Sequence, residues 1–298
     1  MRITNNTVSE NIVRQIQTLG SQQARLQTQV ATGQRIFNPE DDPTAVGRVL
    51  GLESEQRHIS QYLRNADRAL ELSQASYSGL QQLKRVSDRA TEIGTLGTGA
   101  ISPEAARAYA SELDQLIEQS LQLANTKFRN DYLFAGSAVD AAPFVATRDV
   151  AGKVAAVAYA GNAERTGIQL SENATIAPGT SGDTNTGLGD FLNQLVALRE
   201  ALTAGSTAAV TSAQSDLILS EDNLVAALAE HGGIEVRIEA NRAQQLGRAD
   251  NLESLVSSET DADLPETIVR LNQTQTAYQA ALQSAANIMR ISLLDYIN

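Results

Sequence analysis

The sequence predicts a mainly α-helical protein with a small β insertion, its helices forming a nested bundle and coiled coil built from both chain ends. Three observations predict it. Apolar seams with alternating four- and three-residue steps mark both termini, and a longer seam persists through more than four heptads between residues 49 and 80. Near the middle of the chain the spacing switches to period two, the signature of strands. Aromatic residues make up only 4% of the chain and Trp is absent, so the interior is expected to be thin and filled by Leu, Ile, Val and Ala.

The first seam runs Ile12, Ile16, Leu19, Leu26 and Val30, with Gln23 on the same line. A stripe this narrow on an otherwise polar helix has to lie against another helix, because water cannot satisfy it. The helix is expected to end near Gly33. The following Ile36 to Pro43 reads as a loop, in which Asn38-Pro39 turns the chain, Asp42 caps and Pro43 suits a first helical position. Glu40-Asp41-Asp42 lacks the alternating spacing and turn glycine of a calcium loop, so it reads as a capped helix start.

The second seam comprises Val49, Leu52, Ile59, Leu63, Ala66, Leu70, Tyr77 and Leu80, with Glu53 and Arg57 spaced for a surface ion pair. Gly94 to Gly99 breaks it. Ser102-Pro103-Glu104 opens a third helix carrying Tyr109, Leu113, Leu116, Leu123 and Phe128, which is expected to stop at Tyr132-Leu133-Phe134-Ala135-Gly136. Strand patterns follow at Val154, Val157 and Tyr159 and at Thr166, Ile168 and Leu170, with a turn at Asp149 to Gly152. Ala174 to Gly189 reads as a loop. Helical spacing returns with Phe191, Leu195, Leu198 and Leu202, continues from Val210 to Glu230, pauses at His231-Gly232-Gly233 and resumes from Ile234 to Val256. Pro265 opens the last helix, whose seam is Ile268, Leu271, Tyr278, Leu282, Ala285 and Met289, interrupted by Gln275.

The order of these elements implies three nested layers. Residues 1–38 with 264–298 form a terminal coiled-coil layer, 39–136 with 188–263 a helical-bundle layer, and 137–187 a small β-rich outer insertion. The terminal seams are expected to pair with each other or with copies of the chain. The assembly residues are therefore Ile12, Ile16, Leu19, Leu26, Val30, Ile268, Leu271, Tyr278, Leu282 and Met289.

A formal charge of −12 opposes binding to nucleic acid and to anionic membrane surfaces. With no Cys, disulfides, thiolate metal sites and a Cys nucleophile are excluded. The N-terminus lacks the apolar run of a cleavable secretory signal, and no segment has the length and hydropathy of a membrane span. The two histidines, His58 and His231, fall far apart on predicted helices, and a cation at the helix end near His231 is ordinary. No nucleophile elbow or phosphate loop is present. No catalytic residue, cofactor or metal is expected.

Over nearly its whole length this pattern resembles bacterial flagellin and its relatives. The resemblance is carried by the seam in Gln15 to Val30 and by Gly33-Gln34-Arg35-Ile36 followed by Asp41-Asp42. Asn38-Pro39-Glu40-Asp41-Asp42-Pro43, Tyr132-Leu133-Phe134-Ala135-Gly136-Ser137 and Ser292-Leu293-Leu294-Asp295-Tyr296 are similar to the hook–filament junction branch of that family. The resemblance implies a non-enzymatic structural subunit of the extracellular flagellum. Such a subunit is exported unfolded by the flagellar type III apparatus, with a cytosolic chaperone on its C-terminal helix. It would assemble as a ring of its own copies between a second hook-associated protein on the hook side and flagellin beyond. Filament flagellin is the alternative within the family, and a cytosolic coiled-coil adaptor is the alternative outside it.

Overall fold

The computed structural model describes residues 5–99 and 101–297, with side chains over 10–99 and 101–287. Six helices and six short strands follow in the order α1 (Asn5–Thr32), α2 (Pro43–Gly97), α3 (Pro103–Ala124), β1 (Lys127–Phe128), β2 (Asp131–Tyr132), β3 (Phe144–Arg148), β4 (Val154–Tyr159), β5 (Ile168–Ser171), β6 (Ala174–Ile176), α4 (Gly182–Ala204), α5 (Thr207–Thr260) and α6 (Leu264–Ile297). The chain divides into two compact units, one made of Met1–His58 with Ala249–Asn298 and one of Ile59–Arg248.

In the first unit α1 and α6 pack along one another. They are antiparallel: the Ala262 N–H donates to the Gly33 carbonyl at 2.8 Å, and further along the pair the Tyr278 ring lies beside Gly20, 3.6 Å from where a Cβ would stand. The short connection from α1 to α2 is held by its own carboxylates, described below.

The second unit holds the main core. From α2 it takes Leu80, Leu83, Val86, Ala90 and Ile93, from α3 Leu113 and Ile117, from α4 Phe191, Leu195, Leu198 and Leu202, and from α5 Leu217 and Leu224. Along α2 the buried line runs Ile59, Ala66, Ala69, Ser73, Ser76, Leu80 and Leu83, which leaves Tyr77 exposed one residue off the seam expected for it. Small side chains at Ala66, Ala69, Ser73 and Ser76 hide this line from a reading that follows large apolar residues.

Three departures from the sequence reading have clear physical causes. α3 ends at Ala124, ahead of the Tyr132 stop, because the Asn125 side chain takes over: its amide donates to the Phe144 carbonyl at 2.9 Å and its oxygen accepts the Phe144 N–H at 3.0 Å. Phe128 therefore belongs to a β1–β2 hairpin whose turn residues Arg129 and Asn130 have φ of 50° and 87°. α4 begins at Gly182, six residues before the apolar pattern resumes, because Ser181 caps it by accepting the Thr184 N–H. And α5 runs unbroken through Gly232 and Gly233, since the packing of α5 against α2 outweighs the cost of about 1 kcal/mol that each helical glycine brings.

The inserted strands form three separate two-stranded antiparallel sheets, β1–β2, β3–β4 and β5–β6. The expected turn at Asp149 to Gly152 joins β3 to β4, with Asp149 Oδ1 accepting the N–H groups of Ala151 and Lys153. Phe144, Val154 and Val157 turn into the core, while Asn193 of α4 bonds both the N–H and the carbonyl of Val157. The insertion is thus continuous with the helical core.

Two packing sites in this unit are decisive. Phe134 is fully buried, and a Cβ at Gly79 would meet its ring at 2.9 Å, so only glycine fits beneath it. Gly136, at φ +69°, has backbone and side-chain oxygens of Asn162 at 2.2 and 2.3 Å from the Cβ position. The Tyr132 to Ser137 segment is a tightly fitted plug with two obligatory glycines around it. Replacing Phe134 by Ala should lower the unfolding free energy by about 3–5 kcal/mol. Urea denaturation will show this, and a loss under about 1 kcal/mol would contradict it.

His231 is not the helix-terminal cation expected from the sequence. It lies within α5, 1% exposed, with Nδ1 3.1 Å from Ser73 Oγ of α2. Burial pushes its pKa below the ordinary 6.5, with Glu230 opposing. Below pH 6.5 the unfolded chain therefore takes up a proton that the folded chain refuses, and stability falls with pH from about 6.5 downward. Unfolding titrations should show this slope in the parent chain and a flatter profile in His231→Gln. An identical pH slope in both would exclude His231 as its source.

Candidate assembly surface

On α1, residues Ile12, Ile16, Leu19, Leu26 and Val30 are all half-buried, and Gln23 lies on the same face. The steps of four and three keep that face toward α6. The positive φ of Gly33, +73°, ends the helix, and its N–H donates to the Gln29 carbonyl at 2.9 Å. An L side chain would be strained there.

The turn after Gly33 fastens α1 to the segment ahead of α6. Gln34 pairs with Asp261 in a single antiparallel bridge, and the Arg35 N–H donates to the Thr260 carbonyl at 2.6 Å. Arg35 Nη2 reaches the Glu259 carbonyl at 2.7 Å, and Glu259 in turn receives Arg48 Nε and Nη2 on its two oxygens at 3.0 and 2.9 Å. The paired, bidentate geometry orients as well as attracts. Asp41 accepts the N–H groups of Asn38 and Phe37 at 2.9 and 3.1 Å and pairs with Arg25 at 3.0 Å. Those backbone bonds, Asn38 first, hold its carboxyl below the usual range. Asp42 caps α2 through the Ala45 N–H at 3.0 Å, which lowers its pKa, and Arg35 assists. Arg48 lowers that of Glu259 in the same way. Asp41 and Asp42 thus hold backbone and arginine groups. Among the described residues no group of three or more His, Cys, Asp or Glu is arranged to hold a metal, and no helix is long and apolar enough to cross a membrane.

α6 departs from the sequence expectation. Its face toward α1 is Thr267, Leu271, Thr274, Tyr278, Ala281 and Ala285, in regular steps of four and three, with Thr267 and Ala285 buried. Leu271 and Tyr278 belong to it. Ile268 and Leu282 do not: they are 45% and 44% exposed, on a neighbouring line with Gln275 between them at seven-residue spacing. Thr and Ala give the inner face few large apolar side chains to mark it, so in the sequence two adjacent stripes look like one. The Met289 side chain and the side chains of Ser292-Leu293-Leu294-Asp295-Tyr296 lie outside those described. Val269, 54% exposed, widens the outer stripe of α6, and Val13 of α1 is exposed as well.

Of the clamp residues Arg35, Arg48 and Glu259, Arg35 alone falls within a motif legible in the sequence. Arg48 and Glu259 are 211 residues apart, and nothing local marks either as the other's partner. The motif Gly33-Gln34-Arg35-Ile36 with Asp41-Asp42 was the only signal at this place.

Comparison with known proteins agrees with this architecture. Residues 3–139 match the bacterial flagellin N-terminal helical region. The chain is 26% identical to flagellar hook-associated protein 3 of Escherichia coli K12 over 324 aligned residues, covering 98% of each chain. It is 32% identical to the protein of the same name from Salmonella typhimurium over 146 residues, 48% of this chain and 46% of that one. Among solved structures, a putative flagellar hook-associated protein from Vibrio parahaemolyticus superposes with a TM-score of 0.67 at 19% identity, over 74% of this chain and 100% of that one. The FlgL protein of Bacillus cereus superposes at 0.60 and 17% identity, over 70% and 99%. These structures share the fold. With the helix pair joining the two ends of the sequence and the match running from end to end, the chain is similar over its whole length to flagellar hook-associated protein 3, and over its N-terminal part to the flagellin N-terminal helical region.

Proposed function

We propose that this chain is the structural subunit joining hook to filament, assembling as a short ring of its own copies. The observation that carries this reading is the similarity to hook-associated protein 3 over 98% of both chains, terminal helix pair included. The homologues are structural flagellar proteins, which supports a non-enzymatic role. In this reading its neighbours are flagellin on one side and another hook-associated protein on the other. The chain leaves the cell unfolded through the flagellar type III apparatus, with a cytosolic chaperone holding the C-terminal helix beforehand.

The assignment of assembly residues divides between the two faces of α6. Leu271 and Tyr278 join α6 to α1 within a subunit. Ile268 and Leu282, with Val269, form the apolar stripe offered to neighbours. Burying such side chains contributes about 1–2 kcal/mol each at roughly 25 cal/mol per Å². A narrow seam on a marginal helix pair also suits export, because ordering can be completed when neighbours arrive.

Ile268→Ser combined with Leu282→Ser should leave helix content and second-unit stability unchanged while sharply reducing the amount of the chain retained on isolated flagella. Wild-type retention would remove the outer stripe from the assembly surface.

A ring-forming junction and an open polymer differ in deletion phenotype. Cells lacking this chain should build hooks, release flagellin into the medium and carry no filaments, and complementation should restore them. Filaments of normal length on the deletion strain would overturn the junction reading. Long filaments seeded and grown from the purified chain alone would favour filament flagellin.

A further inference from the structure

In an acidic chain, three arginines line one cleft of the second unit. Arg68, Arg129 and Arg165 border a cavity of about 410 Å³ together with apolar surface from Leu72 and Phe128, and Asp131 is the carboxylate among the lining side chains. The walls are tied in place. Arg129, at the β1–β2 turn, pairs with Glu71 of α2; Arg165 pairs with Glu230 of α5 at 2.7 Å; and Asn65 Nδ2 donates to the Gln169 carbonyl of β5 at 2.8 Å. Arg68 lies on α2 between these ties, one turn from Asn65 and one from Leu72, and has no ion-pair or hydrogen-bond partner among the described residues. Two guanidiniums hold the cleft together and the third is left to meet an anion.

The same unit exposes a feature of opposite character. On α5, Ile218, Asp222 and Val225 stand at i, i+4 and i+7 and so share one helical face, with Leu219 beside them. Ile218, Leu219 and Val225 are 45%, 63% and 47% exposed, the densest group of exposed large apolar side chains among the described residues of this unit. Asp222 has no partner among the described residues. A ridge of aliphatic side chains around one free carboxylate is thus unexplained by the protomer, as is a cleft with apolar walls around one free guanidinium. Apolar patches of this kind mark contact surfaces.

We propose that the Asp222 ridge of one copy seats in the Arg68 cleft of the next, with the carboxylate on Arg68 and the flanking aliphatic side chains against Leu72 and Phe128. The inference rests on the self-assembling reading above and names a contact for it. Because the two surfaces differ, the contact is head-to-tail, the kind that closes a ring when the rotation per subunit allows. Charge complementarity selects a second copy as the occupant: the chain carries 35 acidic against 23 basic residues, and this ridge couples a free acid to exposed apolar surface.

The absence of Cys makes the test specific. Arg68→Cys and Asp222→Cys chains are expressed together in a strain lacking the wild-type gene, and flagella are isolated under mild oxidation. The expected result is a covalent dimer from the mixture and at least ten-fold less from either variant alone. In parallel, Arg68→Glu and Asp222→Arg should each reduce retention on flagella about ten-fold, and the double variant should recover most of it. If the wild-type chain is retained but the mixture gives no cross-link and the charge swap no recovery, this contact is wrong and the assembly reading stands. If the wild-type chain itself is absent from isolated flagella, both fall. Protection of Arg68 by millimolar inorganic phosphate in the purified chain, without any cross-link on flagella, would reassign the cleft to a small anion.

Discussion

Everything in the first unit depends on α1 having α6 beside it. Neither helix buries enough surface alone. Each presents a stripe one or two residues wide, and the inner stripe of α6 is Thr and Ala twice as often as Leu or Tyr. Such a stripe contributes little to an isolated helix, where ordering each residue costs about 1–2 kcal/mol of backbone entropy. Laid antiparallel, the two stripes cover one another, with the Tyr278 ring set beside Gly20. The pairing also dictates what comes next in the chain. Once α1 ends at Gly33, the backbone must turn from the α6 junction into α2, and Arg35, Asp41, Asp42, Arg48 and Glu259 converge on that turn. Partial exposure makes each of these contacts weak by itself; as a connected set they restrict the connection to one course.

The second unit is stabilised by different means. Its apolar core draws on four helices and on strands β3 and β4, and its precision comes from close approaches that leave no room for a side chain. Gly79 under Phe134, Gly136 against Asn162 and Gly182 against Ala163 are places where a methyl group would collide. Polar residues inside the core are tied as well: Arg199 of α4 donates to the Val154 carbonyl and pairs with Asp114 of α3, and Asn193 holds β4. A unit fixed by such fitting can present a preformed surface, while a terminal helix pair with exposed stripes is suited to completing its burial against neighbours.

The corrections to the helix boundaries have two kinds of cause. For α3 and α5 a contact from elsewhere in the chain alters the balance of local signals, whereas α4 begins on a local one, the Ser181 cap. Asn125 stops α3 by bonding Phe144, and packing of α5 against α2 carries α5 through two adjacent glycines and places His231 in the interior. Contact from elsewhere in the chain also separated the inner and outer stripes of α6, since only the presence of α1 distinguishes Leu271 from Ile268.

By itself the sequence determined the helical class, the small strand-forming segment in the middle, the α1 face of Ile12, Ile16, Leu19, Leu26 and Val30, and the Asp42 cap. All of these follow from spacing within one or two turns and from the chemistry of a single backbone position. Motif resemblance added the likeness to flagellin-like proteins, which the similarity to flagellar hook-associated protein 3 extends over 98% of the chain. Tertiary structure alone decided which of two neighbouring stripes on α6 meets α1, the Arg48–Glu259 clamp, the plug at Phe134 and the cleft lined by Arg68, Arg129 and Arg165. The reason is the same in each case. These features join residues tens to hundreds of positions apart, and a side chain's partner is then set by how the chain folds back, on which local periodicity carries no information.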